Sequence, residues 1–532
     1  MHDYNGSGPI VTTSSAEDKA RRFLAQASQF QLGDLPTEAR HPKTMQLSQL
    51  AAHDIAAAIR VMADVDRDAV AEVATHLPAL EMMAADIRAV LAGGGRIFLC
   101  GCGATGRLSI NLETLWREDA RRPGRDDLAG KVVSFIAGGD FALVRSIDNF
   151  EDHPEFGARQ LHDLGFTDGD LLIANTEGGE TPFVIGATEE AERSGRRKPY
   201  FLFCNPADVL RRVAERSRRV LDNPRIHSIS IPTGPMALSG STRLQATTAG
   251  MLATGAALFA AATPDISPAG WIDEFSQVLA ATNWTALAPL IERESAIYAN
   301  HQFCVHRTSR YGITVLTDTT ERTPTFSLLP FENVLDHEAG ASWTYLSIPD
   351  VTSPADAWER VLGRQPRPVE WELFRERYGM DRTLGYDFSV NSLDRRRRQL
   401  GADNVHVFDI ADRQDDVVFG LEGAEARFRR PSSLLGQHLL VKCAMNITST
   451  LVMGRLNRFY GNVMVFVRPT NNKLVDRSIR FIRLLLQDEG LSPLTYEDVC
   501  LALFEEFERS RADEPVVVRT FERLRERASA TG

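Results

Sequence analysis

The stretch Arg96–Arg107, RIFLCGCGATGR, decides how this chain is read. A short apolar run, Ile97-Phe98-Leu99-Cys100, stops at a glycine-rich turn, and Arg107-Leu108-Ser109-Ile110 opens a segment of helical composition. Strand, glycine turn and helix start together make a phosphate site. Gly101, Gly103 and Gly106 let the backbone approach an anion, and the helix N-terminus offers unpaired N–H groups. Thr105 adds a hydroxyl. The spacing also fits G-x-G-x-x-G, the dinucleotide fingerprint, which wants an acidic residue about 20 positions on. The next apolar run, Val132–Ile136, leads into Ala137-Gly138-Gly139-Asp140, and that acid comes too late. A phosphorylated small molecule is the favoured ligand; a structural βα turn without one is the alternative.

Outward from this stretch the alternation continues. Strands are expected at 132–136, 171–175, 200–204 and 226–231, with helices at 141–149 and 183–194 and a long Ala/Thr-rich one after the 234–243 loop, to about 262. Strands alternating with helices imply a parallel sheet covered on both faces. Two helical patterns, 45–64 and 70–91, precede the first strand. From Trp271 the pattern restarts, with helices at 274–281 and 287–299 and a strand at 312–316. The turn 317–323 that would follow has no glycine and would bind an anion poorly. Further strands at 405–408 and 417–419 and a long apolar helix at 434–456 complete a degenerate second copy. The expected class is therefore α/β: two doubly wound parallel-sheet units with helical N- and C-terminal segments. The expected division is a flexible lead-in (1–35), a first unit with its leading helices (36–265), a second unit with an insertion near 350–400 (266–470), and a helical end (471–532).

Composition narrows the class. With 532 residues, two or three domains are expected. A formal net charge of −11 disfavours bulk attraction to nucleic acid or an anionic membrane surface. The one notable basic run, Arg395–Arg398, reads as a solvated face. Six scattered cysteines form no C-x-x-C pair, so neither a zinc site nor a disulfide framework is expected. No metal and no cofactor is called for. Residues 1–16 are polar and Gly/Ser-rich, unlike a signal peptide, and the most apolar run is too short to span a bilayer. The cytoplasm fits best.

The second candidate ligand stretch is Ser239-Gly240-Ser241-Thr242-Arg243. Three hydroxyls and a glycine at a strand-to-helix junction can share the oxygens of a phosphate with helix N–H groups, and Arg243 adds charge. A capped helix without ligand is the alternative. Glu151, ahead of Glu155, reads on its own as a charge near a helix N-terminus.

Several loops together carry a resemblance. In chain order they are Thr37-Glu38, Gly93-Gly94-Gly95-Arg96, Gly101–Arg107, Ile136–Asp140, Glu151-Asp152, Cys204-Asn205-Pro206, Leu238–Arg243 and Asn471-Asn472-Lys473-Leu474. With these the chain resembles the SIS (sugar isomerase) domain, and within it the N-acetylmuramic acid 6-phosphate etherase and glucokinase regulatory protein family. The resemblance covers about 37–265 well and the rest patchily. It implies that both doubly wound units are of SIS type. It implies binding of an amino-sugar or hexose 6-phosphate in the first unit, by Gly103, Ala104, Thr105, Gly106, Thr176, Gly178, Ser239, Gly240, Ser241, Thr242 and Arg243, with Lys473 reaching in from the C-terminal part. The two-unit length is similar to the regulatory protein, so one chain would supply what the etherase takes from its dimer mate; a monomer or a homodimer is expected.

The family's etherase chemistry needs a base at C2 and an acid at the departing oxygen. Glu151 falls where the family keeps its base. Its acid falls at position 115, which is Leu115 here. Glu113 is two residues away, about 200° round a helix, and Glu118 sits about 4.5 Å further along the axis. Glu177 and Glu180 lie in the loop after the third strand. The reading that follows is a non-catalytic phosphosugar sensor like the regulatory protein, with a sugar kinase as a candidate partner and no ordinary etherase activity. The alternative is an etherase-like lyase or sugar-phosphate isomerase using Glu151.

Overall fold

The computed structural model describes residues 15–30, 33–467, 469, 471–491, 494–511 and 514–531. The chain divides into two compact units, residues 32–464 and residues 1–31 together with 465–532.

The larger unit holds both sheets. In the first, β1 (Ile97–Gly101), β2 (Val132–Ile136), β3 (Leu171–Asn175), β4 (Tyr200–Phe203) and β5 (His227–Ser230) run parallel in the order β2-β1-β3-β4-β5. β1 to β4 are buried along their whole length, as unbroken apolar runs such as Leu171-Leu172-Ile173-Ala174 require. The chain leaves β1 toward β2 on one side and continues through β3 on the other. The crevice over the β1 and β3 carboxyl ends is the switch point of a doubly wound sheet.

The second sheet has the order β10-β9-β8-β6-β7. Its strands are β6 (Phe303–Arg307), β7 (Thr344–Ser347), β8 (Val405–Arg413), β9 (Asp416–Leu421) and β10 (Ala424–Arg429). β6 pairs in parallel with β7 and β8, whereas β8, β9 and β10 form an antiparallel meander. The all-parallel expectation is corrected here: Gln414 and Glu422–Gly423, all with positive φ, turn the chain back within a few residues, too short for a crossover helix.

Two further expectations change. The stretch 312–316, read as a strand, is the start of the Gly312–Phe326 helix, and the strand is β6 before it. The β-branched run Ile313-Thr314-Val315 suited a strand, but Thr317, Thr319 and Thr320 donate back to carbonyls four residues earlier, satisfying their hydroxyls inside a helix. The turn of the second copy is therefore Thr308–Tyr311, not 317–323. The 141–149 helix is only a short 3-10 turn, Asp140–Leu143. Gly138 and Gly139, both with positive φ, precede it, and the Asp140 N–H donates to the Arg367 carbonyl instead of to a helix.

That last contact belongs to the stretch expected as an insertion. It carries helices such as Pro354–Leu362 and Val390–Leu400, and its segment 364–374 lies back on the first sheet. Arg364 contacts Asp140 at 2.5 Å and Glu113 at 3.1 Å. Arg367 and Arg117 reach the same Glu113 at 3.1 and 2.9 Å, and the Ser134 hydroxyl donates to it.

In the smaller unit the lead-in read as flexible contains the Ala16–Leu24 helix, closed by a Ser15–Asp18 capping box. Phe23 packs on Tyr496 and Phe504 of the Tyr496–Arg509 helix. The Asn472–Asp488 and Val516–Thr531 helices complete the helical end.

Burial pushes the Glu113 carboxyl up, but Arg364, Arg367, Arg117 and Ser134 outweigh it and bring it down to about 2. A carboxyl depressed in the folded state contributes stability above its ordinary pKa and loses it as pH falls toward the folded value. Acid unfolding is expected to cost this contribution between about pH 4.5 and 2. Arg364→Ala should destabilise by about 3–5 kcal/mol in denaturant titrations at pH 7, since it leaves the buried Asp140 carboxylate without its guanidinium and takes one of three from Glu113. A change under 1 kcal/mol would contradict this account.

Candidate functional site

The strand-end loops of the first sheet form the site. After β1, Cys102 caps the Gly103–Ala120 helix, and Gly103 takes φ +50° with open space where a side chain would stand. This is where backbone N–H groups face outward. The other two glycines do different work. A Cβ at Gly101 would lie 2.3 Å from the Thr105 carbonyl carbon, and one at Gly106 2.3 Å from Ile136 Cγ1. They let the helix close onto β1 and β2. Ala104 is buried beside them. The Thr105 hydroxyl accepts from the Cys102 N–H and donates to the Cys102 carbonyl, so its proton already serves the helix cap; its expected role as a donor to the ligand is corrected.

Glu151 comes to this helix start: the Cys102 thiol donates to its Oε2 at 2.9 Å. Its place is set from behind by Phe150, whose ring packs on Phe156, Phe183, Trp371 and Phe374. The loop after β3 closes the other side of the crevice. Thr176 Oγ1 meets the Thr181 hydroxyl at 3.2 Å and accepts from the Gly179 N–H. Glu180 folds back over Gly178, where a Cβ would collide with its carboxylate. Asn205 ties this loop to the N-terminal motif by donating to the Gly178 carbonyl and to the Thr37 hydroxyl.

One residue of this site carried no legible signal. Arg216, in the short Glu215–Leu221 helix, donates to the Glu180 carbonyl. Burial lowers its pKa, while the charges of Glu180, Asp152 and Glu151 oppose that. Arg216 thus lies in the field of carboxylates from two separate loops. Within an Arg-rich surface stretch, RRVAERSRR, nothing distinguishes position 216 from its neighbours.

The Ser239–Arg243 loop is partly as expected. Gly240 takes φ +72°. The Ser241 hydroxyl is buried with no hydrogen-bond partner, and Thr242 is half-buried. Ser239 donates to the Glu38 carbonyl, which makes it a structural link to the Thr37-Glu38 motif. Arg243 is a correction: both of its terminal nitrogens turn inward, to Asp318 at 3.0 Å and to Ser449 and Thr450. The helix itself begins at Gln245. Lys473 stands in the first turn of Asn472–Asp488, in the smaller unit.

The carboxylates considered for the family's acid separate clearly. Leu115 is wholly buried. Glu113 is locked in its arginine cluster, and Glu118 pairs with Arg310. Glu177 lies near Cys204, where burial first and that carboxylate second push the thiol up to about 12. Glu180 is the one that shares Arg216 with Glu151. Among the described residues no helix is long and apolar enough to cross a membrane, and no cluster of three metal-ligating side chains occurs.

A doubly wound sheet with glycine, hydroxyl and carboxylate loops over its switch point fits the class of SIS-domain proteins. Residues 80–192 match the family model of the glucokinase regulatory protein N-terminal SIS domain. The N-acetylmuramic acid 6-phosphate etherase of Streptomyces coelicolor is 36% identical over 221 residues, 41% of this chain and 64% of that protein. That of Pectobacterium atrosepticum is 34% identical over 42% of this chain and 69% of its own length. The Yersinia pestis etherase is 34% identical, with 71% of its length covered. The chain belongs to the family of N-acetylmuramic acid 6-phosphate etherases and glucokinase regulatory protein. It spans slightly under two thirds of the length of the Streptomyces relative. Among solved structures, the C-terminal domain of glucosamine-fructose-6-phosphate aminotransferase from Francisella tularensis aligns over 72% of this chain and 95% of that one, at 10% identity and a TM-score of 0.36.

The glycine assignments are separable by substitution. Gly106→Ala should lower stability by about 1–3 kcal/mol, because the methyl must displace Ile136 in a packed core. Retention of full stability in a denaturant titration would show that the helix has room to move off β2.

Proposed function

We propose that the first half of the large unit binds an amino-sugar 6-phosphate, and that the chain acts on it as a carbon–oxygen lyase of the etherase type. The phosphate is held by the outward N–H groups at Gly103 and by the Ser241 and Thr242 hydroxyls. The observation that carries the chemical part is the placing of the Glu151 carboxylate at the start of the Gly103–Ala120 helix by the Cys102 thiol, with the Glu180 loop tied to Arg216 nearby. Glu151 is the base for the C2 proton. Glu180 stands in for the acid missing at Leu115 and protonates the departing lactyl oxygen. Glu180 enters this step protonated and leaves it as the carboxylate, whose charge Arg216 then balances. The etherase names of the relatives favour this reading.

A second reading is favoured by one observation. Position 115 is apolar and closed off in the core, so the family's own acid–base pair is absent. On that ground the protein is a sensor whose ligand alters its grip on a sugar kinase, as the match to the regulatory protein's domain suggests.

Heavy water separates the two. With N-acetylmuramic acid 6-phosphate in deuterated buffer, a lyase loses the C2 proton signal and releases lactate; Glu151→Gln should stop both while leaving binding. Loss of one general acid or base typically costs about 10²–10⁴-fold, so Glu180→Gln should slow lactate release by that factor and spare C2 exchange. Binding without exchange by the wild type would leave the sensor. Separately, Ser241→Ala with Thr242→Ala should weaken phosphosugar binding by about tenfold or more, two neutral-to-charged hydrogen bonds being lost. Thr319→Ala with Thr320→Ala, inside a helix, should leave affinity unchanged; the opposite pattern would move the site to the second half.

A further inference from the structure

The Ser239–Arg243 loop does not hold itself. Its backbone is gripped from below by a side chain of the second half. Lys442, in the middle of the Leu434–Arg455 helix, is buried, and its Nζ donates to the Arg243 carbonyl at 3.0 Å and the Leu244 carbonyl at 3.1 Å. It also reaches Thr248 Oγ1 and Asn446 Oδ1, both at 2.8 Å. The grip passes to the loop, since the Leu244 N–H donates to the Ser241 carbonyl, and Thr247 donates to the Thr242 carbonyl. Every direct partner of the ammonium is neutral. A buried charge with no carboxylate in contact is costly, and anything anionic brought near it is correspondingly attracted. The ammonium also lies at the N-terminus of the Gln245–Ala262 helix, so its charge adds to the positive end of that dipole. The unpartnered Ser241 hydroxyl lies in the same loop.

We propose that Lys442 is the positioning residue of the phosphate loop: it holds Ser241 and Thr242 in their binding arrangement and places a buried positive charge beneath the ligand's phosphate. This rests on the phosphosugar reading above and deepens it, because a first-half site then depends on a second-half side chain. The charged and titratable groups facing the ammonium are Asp66 from Ile55–Ala74, Arg243 from the loop, Asp318 from Gly312–Phe326, and Cys443 on its own helix. Burial lowers the lysine to about 8; Cys443, Asp66 and Asp318 oppose this, and Arg243 adds to it. Burial likewise raises Asp66 to about 6, so its carboxylate is formed at neutral pH.

The pH dependence follows in sign. Above about pH 8 the amine loses its charge and one N–H, and the loop loses both hold and field. The fold does not weaken with it, because a lysine depressed in the folded state is a group whose proton loss favours folding as pH rises. The ligand's phosphate is already dianionic there, with its second pKa near 6. A falling affinity above pH 8 therefore reports Lys442.

Isothermal titration with N-acetylmuramic acid 6-phosphate, and with inorganic phosphate as a second probe, tests this. Wild-type Kd should rise about tenfold between pH 7 and 9.5, a 1.4 kcal/mol change. Near pH 8.5 binding should take up a proton, seen as a binding enthalpy that varies with the ionisation heat of the buffer. Lys442→Met should bind about tenfold more weakly at pH 7, with a flat profile and no proton uptake. If Lys442→Met does not fold, Asp66→Asn decides. Loss of that attraction lowers the lysine pKa, so the fall in affinity moves to lower pH. A wild-type affinity that is flat from pH 7 to 9.5, or a Lys442→Met profile that copies the wild type, overturns the assignment of Lys442 alone. Failure of both probes to bind at any pH overturns the phosphosugar reading and this inference with it.

Discussion

The buried ion pair between Arg243 and Asp318 ties the two sheets of the large unit into one body. Arg243 leaves the first half's loop and meets, in the second half, a carboxylate that also takes Arg322 at 3.0 Å, the Ser449 hydroxyl at 2.9 Å and Asn446 at 3.1 Å. Arg322 continues to Glu294 at 2.6 Å, and Tyr298 donates to that carboxylate. Removing so many charges from water is costly unless each is paired and hydrogen-bonded. Here the Gly312–Phe326 helix, the Leu434–Arg455 helix and the loop must all be in register for the pairing to be complete. The arrangement selects one docking of the halves more than it adds net stability.

That choice shapes the site. With Arg243 turned inward, the loop keeps the unpartnered Ser241 hydroxyl and the half-buried Thr242, and the positive charge beneath it comes from Lys442. Arg107 is likewise committed. It spans to Glu321 and to the Ala142 and Leu143 carbonyls. Arg216 stands at the crevice, donating to the Glu180 carbonyl.

A second cluster does for Glu151 what the first does for the loop. Arg364 and Arg367 pin the chain between β7 and β8 onto Glu113 and Asp140, and this carries Trp371 and Phe374 onto Phe150. The candidate base is held in place by residues more than two hundred positions away in the chain. Glu113, two positions from the family's acid, serves this clamp and so is lost to chemistry at the switch point.

Periodicity and glycine chemistry suffice for the first half: β1 to β5, the turn at Gly103, and the loops after β1, β3 and β5 follow from local sequence. A fully apolar run bounded by glycine has few other places to go than a covered parallel strand. The second half was less legible because its signals conflict. Ile313-Thr314-Val315 favours a strand by propensity but is helical, its register set by packing against neighbours far along the chain. Arg243 illustrates the same limit at the site. A basic residue beside three hydroxyls reads as a phosphate ligand, and only the position of Asp318 sends it the other way. By itself the sequence determined the class of protein and the glycine and hydroxyl loops at the strand ends, since these depend on residues adjacent in the chain. The partners of Glu151, the loss of Arg243 from the site, the grip of Lys442 and the pairing of Glu180 with Arg216 were decided by the tertiary structure. Each is a pairing of charges or dipoles whose strength depends on distance and burial, and neither is written in the order of residues.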